Sequence, residues 1–211
     1  MTSLTSTQAL PPEDAQGATD PERRTWLLGT AAAGGVAAVA TAVPFVSTLA
    51  PSERAKALGA AVEVDIADIP PGGMKTVEWR GKPVWLMRRT PEMLATLSQH
   101  DEQLADPQSR KDEIPDSCRN PQRSTKPGLL VAIGICTHLG CSPTALPAGT
   151  SNPSVDASWP GGFFCPCHGS TFDLAGRVFK NKPAPTNLEI PPHRYLSDSR
   201  LRIGEAEDKN A

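Results

Sequence analysis

The tightest constraint on this chain is a pair of short stretches in its C-terminal half, Cys136-Thr137-His138-Leu139-Gly140-Cys141 and Cys165-Pro166-Cys167-His168-Gly169-Ser170. They hold four of the five cysteines and two of the four histidines. Thiolates bind zinc or the iron of iron–sulfur clusters and imidazole suits both metals, so the two stretches point to one metal site built from two loops. Two Cys and two His suffice for a tetrahedral zinc. Each stretch carries one cysteine more than that needs. If Cys136 with His138 and Cys165 with His168 supply the ligands, Cys141 and Cys167 are left over, one per loop, and could close a disulfide.

The rest of the chain reads as strands and turns. Its 22 prolines are about twice the usual ~5%, and only 5% of residues are aromatic, which favours a loop-rich fold over a helical bundle. A net charge of −2 argues against a nucleic-acid partner. Residues 1–22 are polar and lack apolar periodicity, the signature of a disordered lead-in. Arg23 and Arg24 then precede an uncharged run from Trp26 to Ala50. As a helix of ~1.5 Å per residue that run more than crosses a ~30 Å hydrocarbon core. The arginine pair resembles a twin-arginine export signal, which suits a domain that crosses the membrane folded; as plain anchoring charges under the positive-inside rule they give the same topology. Ala40-Thr41-Ala42 has the small-residue form of a cleavage site, but the apolar run continues to Leu49, so retention as an anchor over 23–50 is expected.

Residues 51–60 turn polar and read as a linker. Val62, Val64 and Ile66 alternate as a strand, Met74–Trp79 and Pro83–Met87 form two more joined at Arg80-Gly81, and Pro91–Gln99 suits a helix capped by Thr90. His100–Pro127 is polar and irregular and is expected to cover the surface. Within it Cys118 has no evident mate, and His100 and His193 read as ordinary loop histidines. Leu129–Ile135 is an apolar strand leading into the first box. Ser142 onward is loop, Gly161–Phe164 a strand into the second box, and Leu188–Ile190, Arg194–Leu196 and Arg200–Ile203 are closing strands.

The two boxes closely resemble those of the Rieske iron–sulfur proteins, specifically the quinol-oxidising type of cytochrome bc1 and b6f complexes. The resemblance implies a mainly β fold: one N-terminal transmembrane helix, then over 61–211 an antiparallel β domain with a cluster-binding subdomain, 129–185, inserted into it. It implies one [2Fe–2S] cluster held by Cys136, His138, Cys165 and His168, with a Cys141–Cys167 disulfide clamping the loops. Two imidazoles lift such a centre far above all-Cys ferredoxins, to roughly −150 to +300 mV. His138 and His168 keep a second nitrogen free to accept a hydrogen bond from a quinol hydroxyl, so electron and proton leave together. With Leu139, which matches a residue that shields the cluster and forms the quinol-site contact, they are the implied catalytic residues. Ser170 matches a serine that donates to a cluster sulfide, and Lys182-Pro183-Ala184-Pro185 a proline loop packing over the cluster. Phe172 departs from the family: many relatives place a tyrosine there, donating to a ligand thiolate, and its loss lowers the expected potential.

The implied protein is the Rieske subunit of a bacterial ubiquinol–cytochrome c reductase, working with cytochrome b and cytochrome c1 subunits in a dimeric complex. It would sit in the inner membrane as a single-pass protein, N-terminus cytoplasmic and Rieske domain periplasmic, with 51–60 as a hinge. The alternatives are the Rieske subunit of another exported enzyme, such as an arsenite-oxidase-like assembly, and a zinc-stabilised structural domain.

Overall fold

The computed structural model describes residues 20–150, 152, 154–156 and 158–206, which form two separate compact units divided after Ser52. Part of the polar lead-in, residues 1–19, lies outside the described residues. The first unit is the helix α1, Pro21–Ser47. Asp20 caps it, its carboxylate accepting from the Glu22 amide at 3.0 Å, and Pro21 occupies the first turn, where a missing N–H costs nothing. None of its residues is buried, so Trp26, Leu27, Leu28, Val36, Val39, Val43, Phe45 and Val46 present their apolar surface outward. It is long and apolar enough to cross a membrane.

The second unit is mainly β. Its strands are β1 (Val62–Asp65), β2 (Met74–Trp79), β3 (Lys82–Arg88), β4 (Leu129–Ile133), β5 (Thr144–Leu146), β6 (Gly162–Phe164), β7 (Thr171–Phe172), β8 (His193–Tyr195) and β9 (Arg200–Ile203). They make three antiparallel three-stranded sheets, ordered β1-β9-β8, β2-β3-β4 and β5-β6-β7. Two helices accompany them: α2 (Glu53–Leu58), inside the expected linker, and α3 (Pro91–Thr96), whose Thr90 cap accepts from the Met93 amide at 3.3 Å.

The middle sheet explains the fold. Successive side chains of a strand point to opposite faces, and β3 and β4 are buried on both. Val84, Leu86, Leu129, Val131 and Ile133 join Val64, Ile66, Leu201 and Ile203 of the first sheet in one core. Trp85, Met87, Leu130 and Ala132 face the other way, into a core shared with Phe163, Phe172, Cys136 and Cys165. This is why Leu129–Ile133 reads as an unbroken apolar run rather than an alternating one. β4 pairs with β3 in the base, so the inserted sheet, β5-β6-β7, begins after it.

Three expectations change. Thr144–Leu146 is a strand, too short between Pro143 and Pro147 to show periodicity. Leu188–Ile190 is not: the Leu188 amide bonds Gly176 and the Glu189 carbonyl accepts from Ile133, so its bonds divide between two neighbours and form no ladder. His100–Pro127 does not merely cover the surface, since it buries Leu104, Ile114, Cys118 and the side chain of Arg123.

Candidate metal centre

The two boxes are the ends of two supports. The first follows β4; the second is the tip of the β6–β7 hairpin. Their backbones close alike. The Cys136 amide donates to the Cys141 carbonyl (2.7 Å) and the Gly140 amide to the Cys136 carbonyl (3.0 Å); Cys165 donates to Ser170 (2.8 Å) and Gly169 to Cys165 (3.0 Å). Each ring needs a left-handed residue four places after its cysteine, and Gly140 (φ 83°) and Gly169 (φ 75°) supply it. On this common frame the side chains are offset. His138 and Cys167 take the third place, Leu139 and His168 the fourth, Cys141 and Ser170 the sixth. A disulfide joins Cys141 to Cys167 and locks one loop to the other.

The donors fall into two pairs. Cys136 and Cys165 are each 2% exposed on the inner side. His138 is half-buried and His168 exposed, with ring centroids 4.8 Å apart and planes nearly perpendicular. Burial pushes the Cys136 thiol up; the His138 amide pulls it down, the Cys165 thiol beside it pushes it up again, and the Ser170 hydroxyl lowers it. Cys141, Cys165 and Cys167 also bring their sulfurs within 4.8 Å of one another, but the disulfide leaves two of the three without a thiolate to offer. A tetrahedral zinc wants four donors about one point. Paired thiols inside and paired imidazoles outside suit a two-iron centre with different ligands on each iron.

Around the pairs, Ser170 is fully buried and its oxygen accepts from the Ala184 amide at 3.0 Å, leaving the hydroxyl proton for sulfur. Thr137 donates to the Thr186 carbonyl at 2.7 Å, so the 182–186 segment is tied to both boxes. Thr137 and the two glycines were not singled out from sequence, although the repeated Cys-x-x-x-Gly spacing was there to read. Phe172 is fully buried opposite Phe163 in β6. Leu139 is 72% exposed, an apolar side chain standing free beside His138.

Below the boxes lies a buried polar layer. Asp173, just after β7, accepts from the Ala175 and Arg177 amides and from Arg177 Nε at 2.7 Å; His100 faces it at 3.6 Å. Burial pushes the Asp173 carboxyl up, but His100 and Arg177 outweigh it and hold it below the usual range. Arg177 also donates to Leu97 O and Asp101, and Arg123 to Ala175 O, Gly176 O, Leu188 O and Asp112. His100 and His193 are therefore core residues rather than loop ones. His193 donates through Nδ1 to Pro191 O (2.8 Å) and turns Nε2 to the buried Cys118 sulfur at 3.9 Å. Burial raises the Cys118 thiol, yet His193, Thr125 and Ser117 bring it below its ordinary value.

A family model, the Rieske [2Fe-2S] domain, matches residues 60–192. The ubiquinol-cytochrome c reductase iron-sulfur subunit of Allochromatium vinosum is 55% identical over 194 residues, 92% of this chain and 93% of that protein. The subunit of the same name from Bradyrhizobium diazoefficiens is 38% identical over 192 residues, 90% of this chain and 98% of that protein. A mitochondrial relative, cytochrome b-c1 complex subunit Rieske-1 of Nicotiana tabacum, is 42% identical over 161 residues, 76% of this chain and 54% of its own length.

Proposed function

Because the chain belongs to the Rieske [2Fe–2S] family, among the iron–sulfur subunits of ubiquinol–cytochrome c reductase, we propose that it takes one electron from a quinol and delivers it to a c-type cytochrome. It is a subunit of an oxidoreductase complex and its cofactor is one [2Fe–2S] cluster. The observation that carries the reading is the sorting of donors, two buried thiols inside and two imidazoles at the surface, on loops joined by a disulfide.

Cys136 and Cys165 would hold one iron of the cluster, and His138 and His168 the other. Bound there, the cluster supplies a one-electron acceptor whose potential the imidazoles raise. The second ring nitrogen of exposed His168 accepts a hydrogen bond from the quinol hydroxyl and receives its proton, while Leu139 makes the apolar contact with the quinol site. Thr137 and Ser170 keep the loops and the 182–186 segment in register. α1 anchors the chain as a single span with the arginine pair on the cytoplasmic side, exported by the twin-arginine route, and the β unit works in the periplasm against cytochrome b and cytochrome c1 in a dimeric complex.

Single replacement of Cys136, His138, Cys165 or His168 by Ala is expected to abolish the paramagnetic signal of the reduced, membrane-bound protein. A normal signal in any of the four removes that residue from the ligand set, and zinc without iron and labile sulfide in the unmodified protein overturns the reading.

A further inference from the structure

Among the described residues Arg89, just after β3, is the buried arginine that forms no ion pair. It is 4% exposed. Its guanidinium donates to Leu174 O at 3.1 Å, Gln122 O at 2.9 Å, Pro127 O at 2.6 and 3.0 Å and Ser124 Oγ at 2.6 Å. Every acceptor is neutral. Among the described residues its neighbours Arg123 and Arg177 form ion pairs, with Asp112 and with Asp101 and Asp173, whereas Arg89 forms none. Burial brings its pKa down to about 10, with the nearby Asp173 charge pulling the other way, so it keeps its proton at neutral pH. An ion taken out of water without a partner is costly, and a neutral donor would serve carbonyls and a hydroxyl as well. The charge itself needs an account.

What lies beyond Leu174 supplies one. The Leu174 side chain belongs to the same buried cluster as Trp85, Phe163, Phe172, Cys136 and Cys165. The Cys165 amide is bonded to Ser170 O at 2.8 Å, and Leu174 lies only four positions after Ser170, at most about 13 Å of extended chain. The Leu174 carbonyl that takes the guanidinium and the two thiols thus border one buried apolar cluster, with the Asp173 carboxylate, one residue before Leu174, as the nearby opposite charge. A charge acting through such a medium is screened little by water or salt.

We infer that Arg89 is a fixed positive charge that raises the reduction potential of the metal centre, by favouring the form that holds one more electron. The inference rests on the proposed function. Arg89 touches neither ligand nor substrate, so it acts as a positioning residue for the potential alone. It adds to the hydrogen bonds at sulfur, since it acts at a distance and without a donor.

The test is a redox titration, followed by the paramagnetic signal, of full-length protein purified with its complex. Arg89→Met should shift the midpoint downward with the line shape unchanged. Arg89→Lys keeps the charge while losing several hydrogen bonds, so at neutral pH it should lose heat stability and hold the midpoint; a merely structural role would move both variants alike. Should Arg89→Met not fold, Arg89→Lys carries the contrast within itself. Raising the pH to about 9 strips the proton from a buried ammonium, which burial carries below the free value of about 10.4, while the guanidinium of the unmodified chain stays charged, and the Lys midpoint should then fall below that of the unmodified chain at the same pH. Equal midpoints in Arg89→Met and the unmodified chain, or a Lys curve tracking the unmodified one throughout, would overturn the inference. Absence of any paramagnetic signal from the unmodified chain would overturn the cluster reading instead, and the inference with it.

Discussion

Phe172 lacks the hydroxyl of the tyrosine that the family resemblance implies at its position, and Ser170 carries one. A hydrogen bond worth about 0.5–1.5 kcal/mol is some tens of millivolts for a one-electron couple. Phe172→Tyr is therefore expected to raise the midpoint by that order and Ser170→Ala to lower it. Ser170→Ala also strands the buried Ala184 amide, at about 1–3 kcal/mol of stability, so both quantities should be measured. A Tyr variant with an unmoved midpoint means that its oxygen does not reach the thiolate. Asp173 gives a pH expectation. Its carboxyl is held below its usual range in the fold, so the unfolded chain binds the proton more readily; the stability it contributes is complete above the unfolded value of about 3.9 and drains as pH falls through the folded one. Acid unfolding should be steep below about pH 4 and flatter in Asp173→Asn. None of this layer was legible beforehand. His100 and Arg123 sit in a polar, irregular stretch, Arg89 just after a strand and Arg177 just after a turn, and a polar residue in such a place looks like surface until its partners, here mostly distant carbonyls, are known.

The elements were more readable where local chemistry decides them. Arg80 (φ 54°) and Gly81 (φ 72°) make the tight left-handed turn expected between β2 and β3, and Thr90 with Pro91 starts α3 where expected. Thr144–Leu146 and Leu188–Ile190 were misread because their structure is decided by which neighbour takes each backbone bond. The box loops combine both cases: the ligand types stand out in the sequence, the shared ring does not. Gly169→Ala has open space around its new Cβ and pays only for the left-handed backbone, so a loss of about 1–2 kcal/mol is expected in thermal unfolding. Cys141→Ser or Cys167→Ser should keep all four donors, yet give a less stable centre of lower potential. Unchanged stability and potential would mean that the loops hold each other without the bond.

At the scale of the molecule, the expected linker contains α2. Six helical residues are marginal by themselves, and unwinding them from ~1.5 to ~3.3 Å per residue lengthens the tether by about 10 Å. On the proposed function, a carrier that must reach both a quinol and a cytochrome can use such a reserve. Deleting two or three linker residues, or placing prolines at Ala55 and Ala57, should leave the paramagnetic signal and assembly intact while quinol-to-cytochrome turnover drops by orders of magnitude; equal turnover would show that no swing is needed. The Cys141–Cys167 bond carries a different message. Glutathione and thioredoxin keep cytoplasmic thiols apart, and the periplasm joins them. On the proposed topology the bond is thus a passport stamp, issued only to copies that have crossed. Replacing Arg23 and Arg24 by Lys should leave a population whose Cys141 and Cys167 take up an alkylating reagent, and the mass difference would sort travelled molecules from stranded ones in one gel lane.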